Sequence, residues 1–195
     1  MTIKARAIGV AAALLALSGC LSLGGKMPAQ LLNLTATSSA PAGSAANGTS
    51  ATALAVLDIQ APLELDVTRV PVSINGSSVA YVKDAQWVDK PTRLFGRLLS
   101  DTIRAKGNRL VVTGSNLEDA AANKLSGTLS AMNYDASHGA VVVRFDAVFQ
   151  NGAKQIQTKR FESVVPGVSP QAGSVGDALN RAANDVAAQV AAWVG

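Results

Sequence analysis

Every second residue from position 141 to position 149 is apolar, and the positions between them are mixed. A period of two places every second side chain on the same face, so this stretch predicts a strand with one buried face. Segments 124–134 and 154–165 flank it, and Asn151-Gly152 is a residue pair that favours a hairpin turn. The pattern therefore predicts an antiparallel meander of three strands. Its alternating apolar residues are Val141, Val143, Phe145, Ala147 and Phe149.

A second hairpin is predicted around Asn75-Gly76, the pair that best tolerates the positive φ angles of a type I′ turn. Segments 70–74 and 77–82 supply its two strands. Pro71 has no N–H group to donate, which predicts an edge position for the first of them. Shorter apolar runs predict further strands at 31–34, 53–60 and 110–113.

Two segments carry apolar residues at the helical spacings of three and four. The first has Asp89 as its predicted N-cap and Pro91 in its first turn, and Gly107 ends it. The second begins near Gln171 or Ser174 and runs for about twenty residues, longer than a typical helix of a globular protein. The apolar positions are Leu94, Phe95, Leu98, Leu99 and Ile103 in the first, and Val175, Leu179, Ala182, Val186, Val190 and Trp193 in the second.

Each helix leaves two interpretations open. Arg93, Arg97 and Arg104 lie opposite the apolar stripe of the first helix, where a solvated polar face is favoured over contact with lipid headgroups. The stripe of the second helix is wide enough for one partner, which favours packing on the sheet over pairing with another subunit.

Together these elements predict an α+β fold, in which a mostly antiparallel sheet of hairpins and a three-strand meander packs against two amphipathic helices. A single domain would span residues 30–195. Within it, residues 36–52 are almost wholly Ala, Ser, Thr, Gly, Pro and Asn. That composition buries little apolar surface, so the segment is predicted to be a flexible loop.

The N-terminus predicts export and lipidation. Lys4 and Arg6 precede an uncharged stretch from Ala7 to Leu17, the arrangement of a signal peptide. The sequence Leu17-Ser18-Gly19-Cys20 then resembles the bacterial lipobox. Residues 1–19 are predicted to be removed by cleavage between Gly19 and Cys20, residues 20–29 to form a tether, and Cys20 to carry a covalent diacylglycerol and an N-acyl chain. Two or more acyl chains would hold the protein on a membrane stably.

Composition narrows the function further. Removal of Lys4 and Arg6 leaves 15 of the 17 basic residues against 13 acidic ones, a net charge of +2. No run of basic residues with interleaved aromatics is present, which argues against nucleic-acid binding. Residue 21 is Leu rather than Asp, and by resemblance to the sorting rule of many Gram-negative bacteria this predicts the outer membrane, facing the periplasm.

Catalytic chemistry finds little support in the sequence. Asp135, Ser137 and His138 lie within four residues and allow the hypothesis of a lipid hydrolase. A triad, however, requires side chains that converge from separate elements, whereas Asp, Ser and Gly are favoured in turns for conformational reasons alone. We therefore expect a hairpin turn here, and no enzymatic activity, metal site or cofactor beyond the lipid on Cys20.

One block of sequence leads into the first predicted helix: Tyr81-Val82-Lys83-Asp84-Ala85-Gln86-Trp87-Val88-Asp89-Lys90-Pro91. This block resembles the ABC-type transport auxiliary lipoproteins. The lipobox, the hairpin at 70–82 and the terminal Ala191-Ala192-Trp193-Val194 match the same family in order. The resemblance implies a protein similar to paraquat-inducible protein C, a non-enzymatic partner of transporters with mammalian-cell-entry (MCE) domains. Ring-shaped homo-oligomers are a further implication.

Several interpretations remain open at this stage. Tyr81 and Trp87 are candidates for a partner surface or, equally, for core packing, because both side chains are amphipathic. The leading functional hypothesis is an accessory subunit that helps move lipids across the envelope by docking an ABC/MCE transporter to the outer membrane. The alternative is an envelope-assembly lipoprotein that chaperones an outer-membrane or lipopolysaccharide component.

Overall fold

The computed structural model of the protein describes Pro28, residues 30–107 and residues 109–195. The predicted signal peptide, Gly19 and Cys20 lie outside this part of the chain. The strands within it are β1 (Leu54–Val56), β2 (Arg69–Asn75), β3 (Ser78–Gln86), β4 (Val111–Val112), β5 (Asn123–Asp135), β6 (Ala140–Gln150) and β7 (Ile156–Pro166), and the helices are α1 (Pro91–Ala105), α2 (Ser115–Ala120) and α3 (Ala172–Trp193), with a short 3₁₀ helix at Leu63–Leu65.

One mixed sheet contains all seven of these strands, and β5 is its central strand. On one side β5 pairs antiparallel with β6, which pairs antiparallel with β7. On the other side, the beginning of β5 pairs in parallel with β1, and its end pairs in parallel with β2. β4 lies beyond β1, and β3 lies beyond β2. The sheet therefore divides on that side of β5 into two short arms, β1–β4 and β2–β3.

The fold class predicted from the sequence is confirmed. The three longest strands form the expected meander, and the apolar residues that alternate along β6 are all buried. The parallel pairings of β1 and β2 are additions that the sequence pattern did not indicate.

Both long helices cover the sheet face on which β6 is apolar. Phe95 of α1 packs on Phe145 of β6, with ring centroids 5.2 Å apart, and Trp193 of α3 meets the edge of Phe149 at 5.7 Å. The predicted apolar positions of the two stripes are buried apart from Trp193, which is half-buried. The terminal helix thus packs on its own sheet, as the width of its stripe favoured.

The predicted conformation of the β2–β3 turn is wrong. Neither Asn75 nor Gly76 has a positive φ angle, so the turn is not type I′. Asn75 instead ends β2 and pairs with Ser78, and its side-chain oxygen accepts hydrogen bonds from the Ser77 N–H and hydroxyl at 3.0 and 3.1 Å. An Asx turn of this kind needs no left-handed residue.

The predicted edge position of the strand that contains Pro71 is also wrong. β2 lies between β3 and β5, so β3 is the outer strand of this arm. The proline is accommodated because β2 pairs with β5 only through Val72 and Ser73, and the register of β2 against β3 is irregular between Arg69 and Pro71.

Two helix and loop boundaries differ from the prediction. Lys90 rather than Asp89 is the N-cap of α1, and Pro91 is its first residue; the Asp89 carboxylate accepts the Lys90 N–H at 2.7 Å. The loop after β6 extends from Asn151 to Gln155, and its left-handed residue is Lys154, with φ 62°. Asn151 therefore opens a longer loop than a two-residue turn.

The short apolar runs form less strand than predicted. Residues 31–34 contribute one parallel bridge, between Leu32 and Trp87. Residues 53–60 contribute β1 and a separate bridge from Gln60 to Thr128. The predicted strand at 110–113 is present as β4.

The polar segment 36–52 is exposed over most of its length, but hydrogen bonds hold both ends. At its start, the Thr37 N–H donates to the side chain of Asn184 on α3 at 2.8 Å. At its end, the Ser50 carbonyl accepts the Ala122 N–H at 2.8 Å. The segment therefore leaves the body of the protein between two fixed points.

Candidate functional site

The block from Tyr81 to Pro91 covers most of β3 and the entry to α1. Between the pairs Arg69–Gln86 and Pro71–Tyr81, β2 advances by two residues while β3 advances by five. The extra residues form a bulge in which Asp84 adopts a left-handed conformation, with φ 57°. Lys83 and Asp84 are exposed as a result, on the open edge of the sheet.

The bulge also separates Tyr81 from Trp87. In a regular strand, residues six apart share a face. Here Val82, Ala85 and Trp87 are the buried residues, so the inward face changes from even to odd positions at the bulge. Trp87 is only 1% exposed and belongs to the core, which is one of the two interpretations that the sequence left open. Its indole therefore offers no surface to a partner.

Tyr81 remains half-buried and accessible, on the other face from Trp87. The guanidinium of Arg69 lies over its ring, 3.7 Å from the centroid. This cation–π contact fixes the orientation of a flat amphipathic group. Sequence reasoning missed Arg69 because its proximity to Tyr81 depends on the irregular register of β2 against β3, which no local spacing reveals.

A groove of about 740 Å³ lies beside the polar face of α1, between this helix and the segment that follows β1. Basic residues of α1 and of its N-cap line one wall. Lys90 pairs with Asp66 at 2.7 Å, and Arg104 pairs with Asp101 at 3.2 Å. Arg97 is exposed and forms no salt bridge within the described part of the chain. The polar face of α1 is solvated at Arg93 and Arg97, as the sequence favoured, and it also forms a wall of the groove.

Asp135, Ser137 and His138 form a closed network in the turn between β5 and β6. The Ser137 hydroxyl donates to the Asp135 carboxylate at 2.6 Å, and Nδ1 of His138 lies 2.7 Å from the other carboxylate oxygen. These hydrogen bonds lower the pKa of Asp135 from 3.8 to about 2. The bond from Ser137 makes the largest contribution, and the bond from His138 makes the next largest.

This network does not have the geometry of a hydrolase. In a triad the acid and the nucleophile contact different ring nitrogens of the histidine, so that a proton can pass between them. Here Oγ of Ser137 also lies 3.0 Å from Nδ1, the nitrogen that faces Asp135. The residues therefore stabilise the turn, as the sequence indicated.

Within the described residues, no helix combines the length and the apolar character needed to cross a membrane. The same part of the chain contains no cluster of three or more His, Cys, Asp or Glu residues suited to a metal ion. Gly19 and Cys20, the predicted cleavage and lipidation sites, lie outside it.

Comparison with protein families identifies the chain. The family model of the ABC-type transport auxiliary lipoprotein component matches residues 33–191. The chain belongs to this family. The match begins close to the Leu32 bridge and ends within α3, so it covers both arms of the sheet, the meander and both long helices. A comparison with curated protein sequences finds no match.

Solved structures show the same fold for this auxiliary lipoprotein. Protein XCC0632 from Xanthomonas campestris is 14% identical and aligns with a TM-score of 0.71 over 85% of this chain and 94% of that one. The crystal structure of an uncharacterized protein, also 14% identical, gives a TM-score of 0.63 over 77% of this chain and 97% of that one. PelC from Paraburkholderia phytofirmans, determined as a dodecamer, is 13% identical and gives a TM-score of 0.42 over 74% and 91%. A TM-score this low does not establish a shared fold, so oligomerisation of this chain stays a prediction.

Proposed function

We propose that this auxiliary lipoprotein is a periplasmic, lipid-anchored accessory subunit of an ABC/MCE-type transport system, which docks the transporter to the outer membrane and helps move lipids across the envelope. The family match over residues 33–191 carries the proposal, because the family is one of transport auxiliary components. The lipobox at Cys20 supports the anchor, and Leu21 supports the outer membrane. The role is one of binding and positioning, without catalysis.

The partner surface is proposed to include Tyr81, with Arg69 stacked on it and Lys83 and Asp84 beside it at the bulge. An oriented tyrosine with an arginine is a combination enriched at the energetic centres of protein interfaces. Trp87 does not belong to this surface, but its buried side chain next to the bulge supports the strand that carries Tyr81.

The test is co-purification of the full-length lipoprotein from native membranes solubilised in mild detergent. The proposal expects an ABC ATPase, a permease or an MCE-domain subunit to be retained with it. Tyr81→Ala should reduce that retention several-fold without shifting the unfolding midpoint of the purified protein. Leu117→Ala, at an exposed leucine on α2, is the matched control and should retain the partners fully.

Absence of every transporter subunit from the purified material would refute the proposal. Full retention by Tyr81→Ala, with subunits present, would refute the assigned surface and leave the docking role in place.

A further inference from the structure

We propose that the tip of the β2–β3 hairpin, residues 74–79, rests in the interface of the membrane that holds the acyl chains of Cys20. This inference rests on the lipid anchor of the proposed function. It adds a second, non-covalent contact with the lipid leaflet, made by the folded domain itself.

The direction in which the chain enters the domain supports this placement. The Leu32 N–H donates to the Gln86 carbonyl at 2.7 Å, and the Val88 N–H donates to the Leu32 carbonyl at 2.9 Å. Because this bridge is parallel, Gln30 and Leu31 lead away from Leu32 in the direction of the start of β3. The start of β3 is Ser78, at the hairpin tip. A tether that continues in this direction would bring the lipid anchor to the same side of Leu32 as the tip.

The length of the intervening chain limits how far the membrane can be from the tip. Twelve residues separate Cys20 from Leu32, which span at most about 40 Å when fully extended. Nine residues separate Ser78 from Trp87, which span about 30 Å in a strand, and the bulge at Asp84 shortens this distance. The tip thus lies almost as far from Leu32 as Cys20 can lie when the tether is fully extended. A less extended tether would bring the lipid leaflet to the level of the tip.

The chemistry of the tip suits a lipid interface. Ile74 and Val79 flank it and are 49% and 53% exposed. Between them lie Asn75, Gly76, Ser77 and Ser78, which are polar but uncharged. Aliphatic side chains beside uncharged polar groups can enter the headgroup region without the cost of desolvating a charge.

The tip is also held firmly enough to act as a contact point. The Ser73 carbonyl accepts the Ala136 N–H at 2.9 Å, and the Ser73 hydroxyl accepts a hydrogen bond from Asn133 at 3.0 Å. These bonds fix the end of β2 to the β5–β6 turn. Asp135, the acid nearest to this junction in the sheet register, is already bound by Ser137 and His138.

Depth-dependent quenching tests the contact on the full, acylated protein. The chain has one cysteine, so acylation of Cys20 leaves no free thiol. Val79→Cys is labelled with an environment-sensitive fluorophore and reconstituted in phosphatidylethanolamine–phosphatidylglycerol vesicles that contain brominated lipid. Leu117→Cys, 61% exposed on α2, is the matched control, because α2 leads into the opposite end of β5 from the tip. Ile74→Cys provides a second label position at the tip.

The proposal expects bromolipid to quench labels at positions 79 and 74 several-fold more than the label at position 117. Equal quenching at the tip and at position 117, in protein that is bound to the vesicles, would overturn the hairpin contact while leaving the anchor and the docking role intact. Failure of the purified protein to carry lipid or to enter vesicles would instead refute the anchor, and both proposals with it.

Discussion

At Gly127, the neighbouring strand β6 leaves no room for a side chain on β5. A Cβ atom at this position would meet the carbonyl oxygen of Asp146 and would lie 2.6 Å from the ring of Phe145. The Gly127 carbonyl also accepts the Gln60 N–H at 3.0 Å, which helps to hold the segment between β1 and the 3₁₀ helix against the sheet. Neither obstacle is the end of a flexible side chain, so the strand pair itself would have to shift.

Gly127→Ala should therefore lower the free energy of unfolding by about 1–3 kcal/mol, the usual cost of an overpacked core. Urea denaturation of the purified protein measures the change. Gly76→Ala is the control: nothing lies within 4 Å of a Cβ there and φ is not positive, so its effect should be small. Similar losses for the two variants would contradict the steric explanation.

The network around Asp135 predicts a dependence of stability on pH. Hydrogen bonds from Ser137 and His138 lower the pKa of Asp135 to about 2 in the folded protein, from 3.8. A depressed pKa means that the folded state favours the carboxylate. The stabilisation is therefore complete above about pH 4 and is lost as the pH falls towards 2.

Asp135→Asn should lower the free energy of unfolding at pH 7 by about 0.2–1 kcal/mol, since the turn is partly exposed and solvent weakens the interaction. At pH 2 the wild type and the variant should differ much less. Denaturant titrations at both pH values measure the difference. A gap that is the same at pH 7 and pH 2 would show that the carboxylate charge plays no part.

Among the helices and strands, those with the longest periodic patterns were predicted best from the sequence. β6 and the helices α1 and α3 each repeat their period several times, so both their type and their buried face were predictable. In β7 only Phe161 is buried, so the sequence of this strand indicated its type but not its buried face. β1 is three residues long and buried throughout, which leaves no period from which to infer its partners. Its parallel pairing with β4 and β5 depends on residues more than fifty positions away.

Segment 33–37 does not pair with a strand of the sheet. Side chains of α3 fix it by hydrogen bonds instead. The buried Asn184 of α3 accepts the Thr37 N–H and donates to the Thr35 carbonyl at 2.9 Å. Asn180 accepts the Thr35 N–H at 2.9 Å. An asparagine within a helix has no periodic signature for this role, so the sequence offered no reason to connect it with a segment almost 150 residues away.

Asn184→Ala should cost about 0.5–1.5 kcal/mol, because it removes the hydrogen bonds to the partly buried backbone groups of Thr35 and Thr37. Amide exchange should rise in segment 35–37, beyond the global change. Gln189→Ala, one turn further along α3, is the control: it removes exposed hydrogen bonds to the Glu162 carbonyl at 3.4 Å and the Asp185 carboxylate at 3.2 Å, neither of which involves segment 35–37. Unchanged exchange at Thr37 would refute the anchoring role.

At the scale of the whole molecule, the bulge at Asp84 explains why the candidate site was only partly predictable. Tyr81 and Trp87 belong to one sequence block, and an even spacing would place them on one face of a regular strand. The bulge reverses the inward face between them, so one residue enters the core and the other stays accessible. A bulge follows from pairing with β2, which the spacing within β3 does not reveal.

We expect lipidation at Cys20 to be independent of the fold of the domain. Among the described residues, the buried core begins at Leu34, fourteen positions after Cys20, so the core can form without the anchor. Cys20→Ala should thus leave the unfolding midpoint of the domain unchanged.

The same variant should lose its place on the membrane, because its side chain has no sulfur to accept diacylglycerol. We expect an uncleaved or mislocalised chain, measured by mass spectrometry of the N-terminus and by membrane fractionation. Ser22→Ala, two residues further on, should be processed and localised as the wild type. Normal membrane attachment of Cys20→Ala would refute lipidation at this residue, and a changed unfolding midpoint would contradict the separation of anchor and fold.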